Sequence, residues 1–108
     1  MKLPTEIFGE VIVVHTPQQL GQDQAEPLME YLTTLERVNV VVDLDNAESI
    51  DSMGLETLLD AQDRLREFGG DLRVSTENHI NRKIMEITRL DRHMDVFDNV
   101  IDAVKSYA

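Results

Sequence analysis

Carboxylates and hydroxyls crowd one short stretch of this 108-residue chain, Asp43-Leu44-Asp45-Asn46-Ala47-Glu48-Ser49-Ile50-Asp51-Ser52-Met53-Gly54. Three kinds of chemistry suit such a run. Aspartates at a strand end can hold a metal or accept a phosphoryl group. A serine beside a base can act as a nucleophile. A serine at a helix N-terminus can cap the helix or itself be phosphorylated, since the unpaired N–H groups and the helix dipole favour an anion there.

The aspartate readings need more than the chain supplies. A receiver-type phosphoaspartate requires an acidic pair after the first strand and a lysine late in the sheet. Glu10 and the valine-rich run after it offer no such pair, and Lys83 falls within an expected helix. His15, His79 and His93 are scattered, with no two at a ligand spacing on one helix, so no metal site is expected. Nothing brings His15 to Ser52, and Gly-x-Ser-x-Gly is absent, as are Gly-x-Gly-x-x-Gly and Walker-type loops. No catalytic residues and no cofactor are expected. Ser52 remains, either as a helix cap, a role open to Asp51 as well, or as a phosphoacceptor.

The elements on either side place that serine. Val38, Val40, Val41, Val42 and Leu44 are apolar on both alternating faces, as in a strand buried in a helix-covered sheet. Leu55, Leu58, Leu59, Leu65 and Phe68 form a helical stripe over Met53 to Phe68, stopped by Gly69-Gly70. Ser52 therefore sits where a strand hands over to a helix. Phosphorylation there would add charge beside Asp43, Asp45, Glu48 and Asp51, disrupting a contact surface rather than ordering the domain.

Periodicity marks the remaining elements. Thr5 to Phe8 and Glu10 to Thr16 read as two strands in a hairpin about Gly9. Gln18 to Gln24 reads as loop. Ala25, Leu28, Met29, Leu32 and Leu35 mark a helix over Asp23 to Arg37, with Asp23 as N-cap, Glu26 as its capping-box partner and Pro27 in the first turn. Asp71 to Thr76 is a strand with one polar face, nearer a sheet edge than the Val40 strand. Ile80, Ile84, Ile87 and Leu90 mark a third helix with Arg82, Lys83 and Arg89 outward. Met94, Val96 and Phe97 form a last short strand, and Val100, Ile101 and Val104 a closing helix capped by Asp98 or Asn99. The order is β-β-α-β-α-β-α-β-α: one small α/β domain over residues 1–108, with a mixed, mostly parallel sheet of about four or five strands.

Composition narrows the partners. Ten basic against twenty-one acidic residues give a net charge of −11, which opposes nucleic acid and anionic membranes. No run approaches the ~20 apolar residues of a membrane helix. With no cysteine and no signal-peptide pattern at MKLPTEIFGE, the expected compartment is the cytoplasm.

The segment Ile50-Asp51-Ser52-Met53-Gly54-Leu55, between a valine-rich strand and a leucine-striped helix, resembles the signature of STAS domains, the sulphate transporter and anti-sigma factor antagonist domains. Gly69-Gly70-Asp71-Leu72-Arg73-Val74 resembles the turn and strand that come next in that family. Ile84, Leu90-Asp91, Val96-Phe97-Asp98 and Ala103-Val104 resemble its last helix–strand–helix. The resemblance runs from about Glu10 to the C-terminus. It implies a non-catalytic partner-switching module of bacterial transcription regulation. In the family's antagonists the hydroxyl residue after the aspartate is phosphorylated by a serine kinase that is also the anti-sigma factor, and phosphorylation breaks their complex. The matching position is Ser52, and the implied partner surface is Asp51, Ser52, Met53, Gly54, Leu55 and Glu56. The chain departs from the pattern in having Met53 after the acceptor and Pro17-Gln18-Gln19-Leu20-Gly21-Gln22-Asp23 where antagonists carry an acidic turn; Asp23 is the acidic neighbour nearest that role. The rival reading is a constitutive interaction or transport-accessory module in which Ser52 is only a cap.

Overall fold

A computed structural model describes residues 1–108. Five strands form one sheet: β1 (Thr5–Phe8), β2 (Val11–His15), β4 (Asn39–Asp43), β6 (Asp71–Ser75) and β7 (Val96–Phe97), in that spatial order. β1 runs antiparallel to β2 and the other pairings are parallel. A separate two-residue pair joins β3 (Gln19–Leu20) to β5 (Ser49–Ile50). Four helices complete the chain: α1 (Gln22–Thr33), α2 (Ser52–Glu67), α3 (His79–Ile87) and α4 (Val100–Lys105), with a 3-10 turn at Leu90–Arg92. The expected α/β architecture and its order stand, with the β3–β5 pair added where a loop was expected.

The valine-rich strand is central because both its faces are apolar. Val40 and Val42 join Ile12, Val14, Leu72 and Val74 against Leu28, Leu32, Leu58 and Leu65 of α1 and α2. Val41 joins Val11 and Val13 against Ala103 of α4. Burying each such side chain is worth ~1.5–3 kcal/mol, so this strand fixes the sheet's place between the helices. The polar face of β6 is covered rather than exposed. Ser75 is fully buried, and the Arg73 guanidinium stacks 4.1 Å from the ring centroid of Tyr107. The Tyr107 hydroxyl donates to the Val40 carbonyl at 2.7 Å and lies 2.9 Å from that of Asp71. Burial, with the nearby Asp71 carboxylate, pushes the phenol well above its ordinary pKa.

Several ends differ from the sequence reading. α1 is capped by Gly21, not Asp23. The Gly21 carbonyl accepts the Gln24 N–H at 3.1 Å, and the Gln24 side chain accepts the Gly21 N–H at 3.1 Å. Pro27 therefore lies in the second turn of α1, on its exposed side. α2 ends as expected: Gly69, at φ 83°, donates to Arg66 and Gly70 donates to Leu65, the paired bonds of a Schellman motif. Asn99 alone caps α4, accepting from the Asp102 N–H at 2.8 Å.

The third helix buries only part of its expected apolar stripe: Ile84 packs half-buried against the core, but Ile80 and Ile87 do not. Asn81 and Met85 are its buried residues, while Ile80 and Ile87 are 73% and 71% exposed. A polar anchor overrides the pattern. The Asn81 amide donates to the carbonyls of Leu44 (3.0 Å) and Ala47 (3.1 Å), pinning α3 to the loop after β4. Leu90 is buried, in the 3-10 turn beyond the helix.

Candidate functional site

Ser52 is the first residue of α2, and its N-cap is Asp51. Asp51 Oδ1 accepts the Gly54 N–H at 3.0 Å, and Oδ2 accepts the Gln22 N–H of α1 at 3.2 Å. One carboxylate thus serves the first turns of two helices. The Gly54 bond, aided by Gln22 and Met53, holds its pKa below the ordinary carboxylate value against an opposing effect of burial.

The corners that carry these helices interlock. The Asp51 N–H donates to the Leu20 carbonyl at 3.2 Å, continuing the β3–β5 pairing into both helix starts. Two glycines permit it. A β-carbon on Gly54 would run into the Leu20 carbonyl, and one on Gly21 would stand 2.6 Å from Asp51 Oδ2.

With the cap supplied by Asp51, the Ser52 side chain makes no hydrogen bond and faces solvent. Of the two capping candidates in the sequence, Asp51 and Ser52, the aspartate takes the role. Met53 is 40% exposed beside it, and Glu56 is exposed one turn on. Gly54 and Leu55 are buried and face into the domain. Asp23 is exposed in the first turn of α1, next to the Gln22 that Asp51 bonds. Of the expected partner-contact residues, Asp51, Ser52, Met53 and Glu56 are exposed, while Gly54 and Leu55 are buried; Asp51 both belongs to this surface and builds the corner that presents it.

The other aspartates have structural partners. Asp45 Oδ1 accepts from the Glu77 N–H (2.7 Å) and from the Thr76 hydroxyl (3.1 Å). Asp43 accepts from the Asp45 N–H and binds His15 Nδ1 at 2.8 Å. His15 Nε2 reaches Glu6 at 2.8 Å, so the ring lies between two carboxylates. Burial lowers the imidazole pKa, but the bonds and charges of Glu6 and Asp43 outweigh it and leave the value raised. Sequence reasoning missed this cluster. The clue is that His15 and Asp43 end two strands that pair in parallel. No group of His, Asp and Glu side chains has a metal-holding geometry. The largest cavity, about 390 Å³, lies at the other end of the strands between Phe8, Val11, Asn39 and Tyr107.

The family model of the STAS domain matches residues 2–103. The chain belongs to the STAS family. No curated protein sequence matches it. Solved structures share its fold at low identity. An anti-sigma factor antagonist from Mycobacterium paratuberculosis is 21% identical and aligns over 97% of this chain and 92% of its own, with a TM-score of 0.83. A sulfate transporter family protein from Wolinella succinogenes is 16% identical over 94% and 87%, with a TM-score of 0.79. The phosphorylated form of the Bacillus cell fate determinant SpoIIAA is 15% identical over 99% and 100%, with a TM-score of 0.70. Differently described proteins thus share this sheet and helix arrangement. No helix of the chain is long and apolar enough to cross a membrane.

Proposed function

We propose that this STAS domain is a non-catalytic, cytoplasmic partner-switching module whose binding to an anti-sigma factor-like serine kinase is broken by phosphorylation of Ser52. The observation that carries the reading is the unengaged hydroxyl of Ser52 at the start of α2, exposed because Asp51 performs the capping. A kinase can take this hydroxyl without dismantling the helix end. The structure of phosphorylated SpoIIAA on the same fold supports the kind of switch.

Electrostatics give the direction. A phosphate adds roughly −1.5 to −2 charges at neutral pH. On Ser52 it would stand next to an Asp51 carboxylate kept ionised by its N–H bonds, on a chain already at −11. The α2 dipole attracts it, but the Gly54 and Gln22 N–H groups already serve Asp51. The added charge therefore projects into the Met53–Glu56 surface and expels a docked partner. The test is intact mass with fragment mapping after isolation from the native host, then binding to the kinase so identified. Ser52→Ala should bind constitutively and Ser52→Asp weakly. Equal binding by both variants sinks the reading in favour of a constitutive STAS module.

A further inference from the structure

The His15 side chain laces three strands together. From β2, its Nδ1 lies 2.8 Å from Asp43 Oδ2 on β4 and its Nε2 lies 2.8 Å from Glu6 Oε1 on β1. Ionised carboxylates only accept hydrogen bonds, so both ring nitrogens must donate. The imidazolium alone does that, and a free imidazole has largely lost its second proton at neutral pH. The latticework of these strands therefore holds one proton by its geometry.

Glu6 and Asp43 are the charged groups that face the ring. No lysine or arginine pairs with either carboxylate. The Asp45 carboxylate is turned to the Thr76 hydroxyl and the Glu77 N–H. On β2 the ring follows Val11 and Val13, against which α4 packs Ala103. That helix turns Asp102 to Asn99 and carries Lys105 beside Val11, at the opposite end of the strands.

The two links are unequal. The Asp43 side chain is 10% exposed and Glu6 is 55% exposed. When the ring gives its second proton to solvent, one nitrogen becomes an acceptor opposed to a carboxylate. Water can replace the ring at Glu6 far better than at Asp43, so Nδ1 keeps its hydrogen and the Nε2 lone pair repels Glu6. Little else holds β1 at that point. All four of its residues are exposed. The side-chain anchors of its flanks are the Tyr31 hydroxyl on the Leu3 carbonyl and the Arg37 guanidinium on the Gly9 carbonyl, with Glu6 midway between them.

We infer that His15 is a proton-operated latch on β1, holding the strand through Glu6 when the ring is charged and letting it lift locally from β2 when the ring is neutral. The latched state binds one proton more than the open one. It is therefore favoured below the ring's pKa in the latched state and weakens as pH rises through that value. Because Glu6 is half in water, the opening equilibrium should change only roughly two- to five-fold, as for a surface ion pair. The α1 and α2 layer packs on β2, β4 and β6, so opening stays at the edge. The inference is independent of the role proposed for Ser52.

The backbone supplies an internal control. The His15 N–H donates to the Pro4 carbonyl and the Thr16 N–H to that of Asp43. By alternation the Val13 and His15 amides face β1, while those of Ile12 and Val14 face β4. The test is residue-resolved amide exchange by NMR on the full chain, corrected for its intrinsic pH dependence, from about pH 5.5 to about pH 9 across the histidine range. Protection of Val13 and His15 should fall across the midpoint of the His15 ring titration, read in the same samples, while Ile12 and Val14 hold theirs. Glu6→Gln should remove the dependence, because a side-chain amide can accept from the charged ring and donate to the neutral one. Constant protection of Val13 and His15 through the ring titration, an equal loss at Ile12 and Val14, or an unchanged pH dependence in a folded Glu6→Gln chain would each overturn the latch.

Discussion

The carboxylate of Asp51 fills the space that a β-carbon on residue 21 would need, with Oδ2 2.6 Å from that position. Gly21 and Asp51 thus fix the approach of two helix starts, and the exposed Ser52 is a consequence. Gly54 performs the matching service on the other side, but against the Leu20 backbone carbonyl. The two glycines should therefore differ in tolerance. A carboxylate can swing aside, whereas a paired backbone must move with its strand. Gly54→Ala should cost about 1–3 kcal/mol, as overpacking does, and Gly21→Ala distinctly less, both read from urea unfolding midpoints.

The division of labour between neighbours gives a second expectation. Ser52→Ala should leave stability within ~0.5 kcal/mol of the parent, the range of surface substitutions that touch nothing. Asp51→Ala should lower the melting temperature clearly, since it strips a cap from α2 and a bond from α1. Thermal melts of both variants decide it. The reverse ranking would return the capping role to the serine.

This corner shows what sequence could and could not reveal. The buried strand was legible because Val40, Val41 and Val42 are apolar on both faces, and the end of α2 because Gly69-Gly70 is a strong stop. Adjacent Asp51 and Ser52 are both good caps, and only the tertiary approach of the Gln22 N–H favours the aspartate position. The β3–β5 pair has two residues per strand, too few for any period to show. Ile80 and Ile87 of α3 misled, though Ile84 packs as expected, because hydrophobic spacing carries no information about a polar anchor such as Asn81.

His15 should make stability depend on pH. Its pKa is raised in the folded chain above the ordinary 6.5, so the protonated ring is favoured by folding. That contribution is complete below the unfolded value of 6.5 and is lost as pH rises through the folded value. Unfolding free energy measured across this window should fall with rising pH, and His15→Gln should flatten the slope. A histidine NMR titration should place the His15 midpoint above 6.5. A midpoint below it would show that burial outweighs Glu6 and Asp43.

Asn81 and Ile80 are neighbours on α3 whose chemistry and placement are inverted relative to ordinary expectation. The amide is 3% exposed and satisfies two carbonyls of the β4–β5 loop, while the isoleucine is 73% exposed. Truncating Asn81 to alanine removes the Ala47 carbonyl's donor and leaves the Leu44 carbonyl with only the Ala47 N–H, a loss of roughly 1–3 kcal/mol for a buried group deprived of its partner. Ile80→Ser removes an exposed apolar side chain and should change stability by no more than ~0.5 kcal/mol. Equilibrium unfolding of the two variants side by side tests the orientation of the helix directly. If Ile80→Ser is the more damaging, α3 packs by its isoleucine stripe and Asn81 is not its anchor. If Asn81→Ala is, the loop leading toward Ser52 is held by one amide, and its amides should exchange faster in that variant while those of β4 do not.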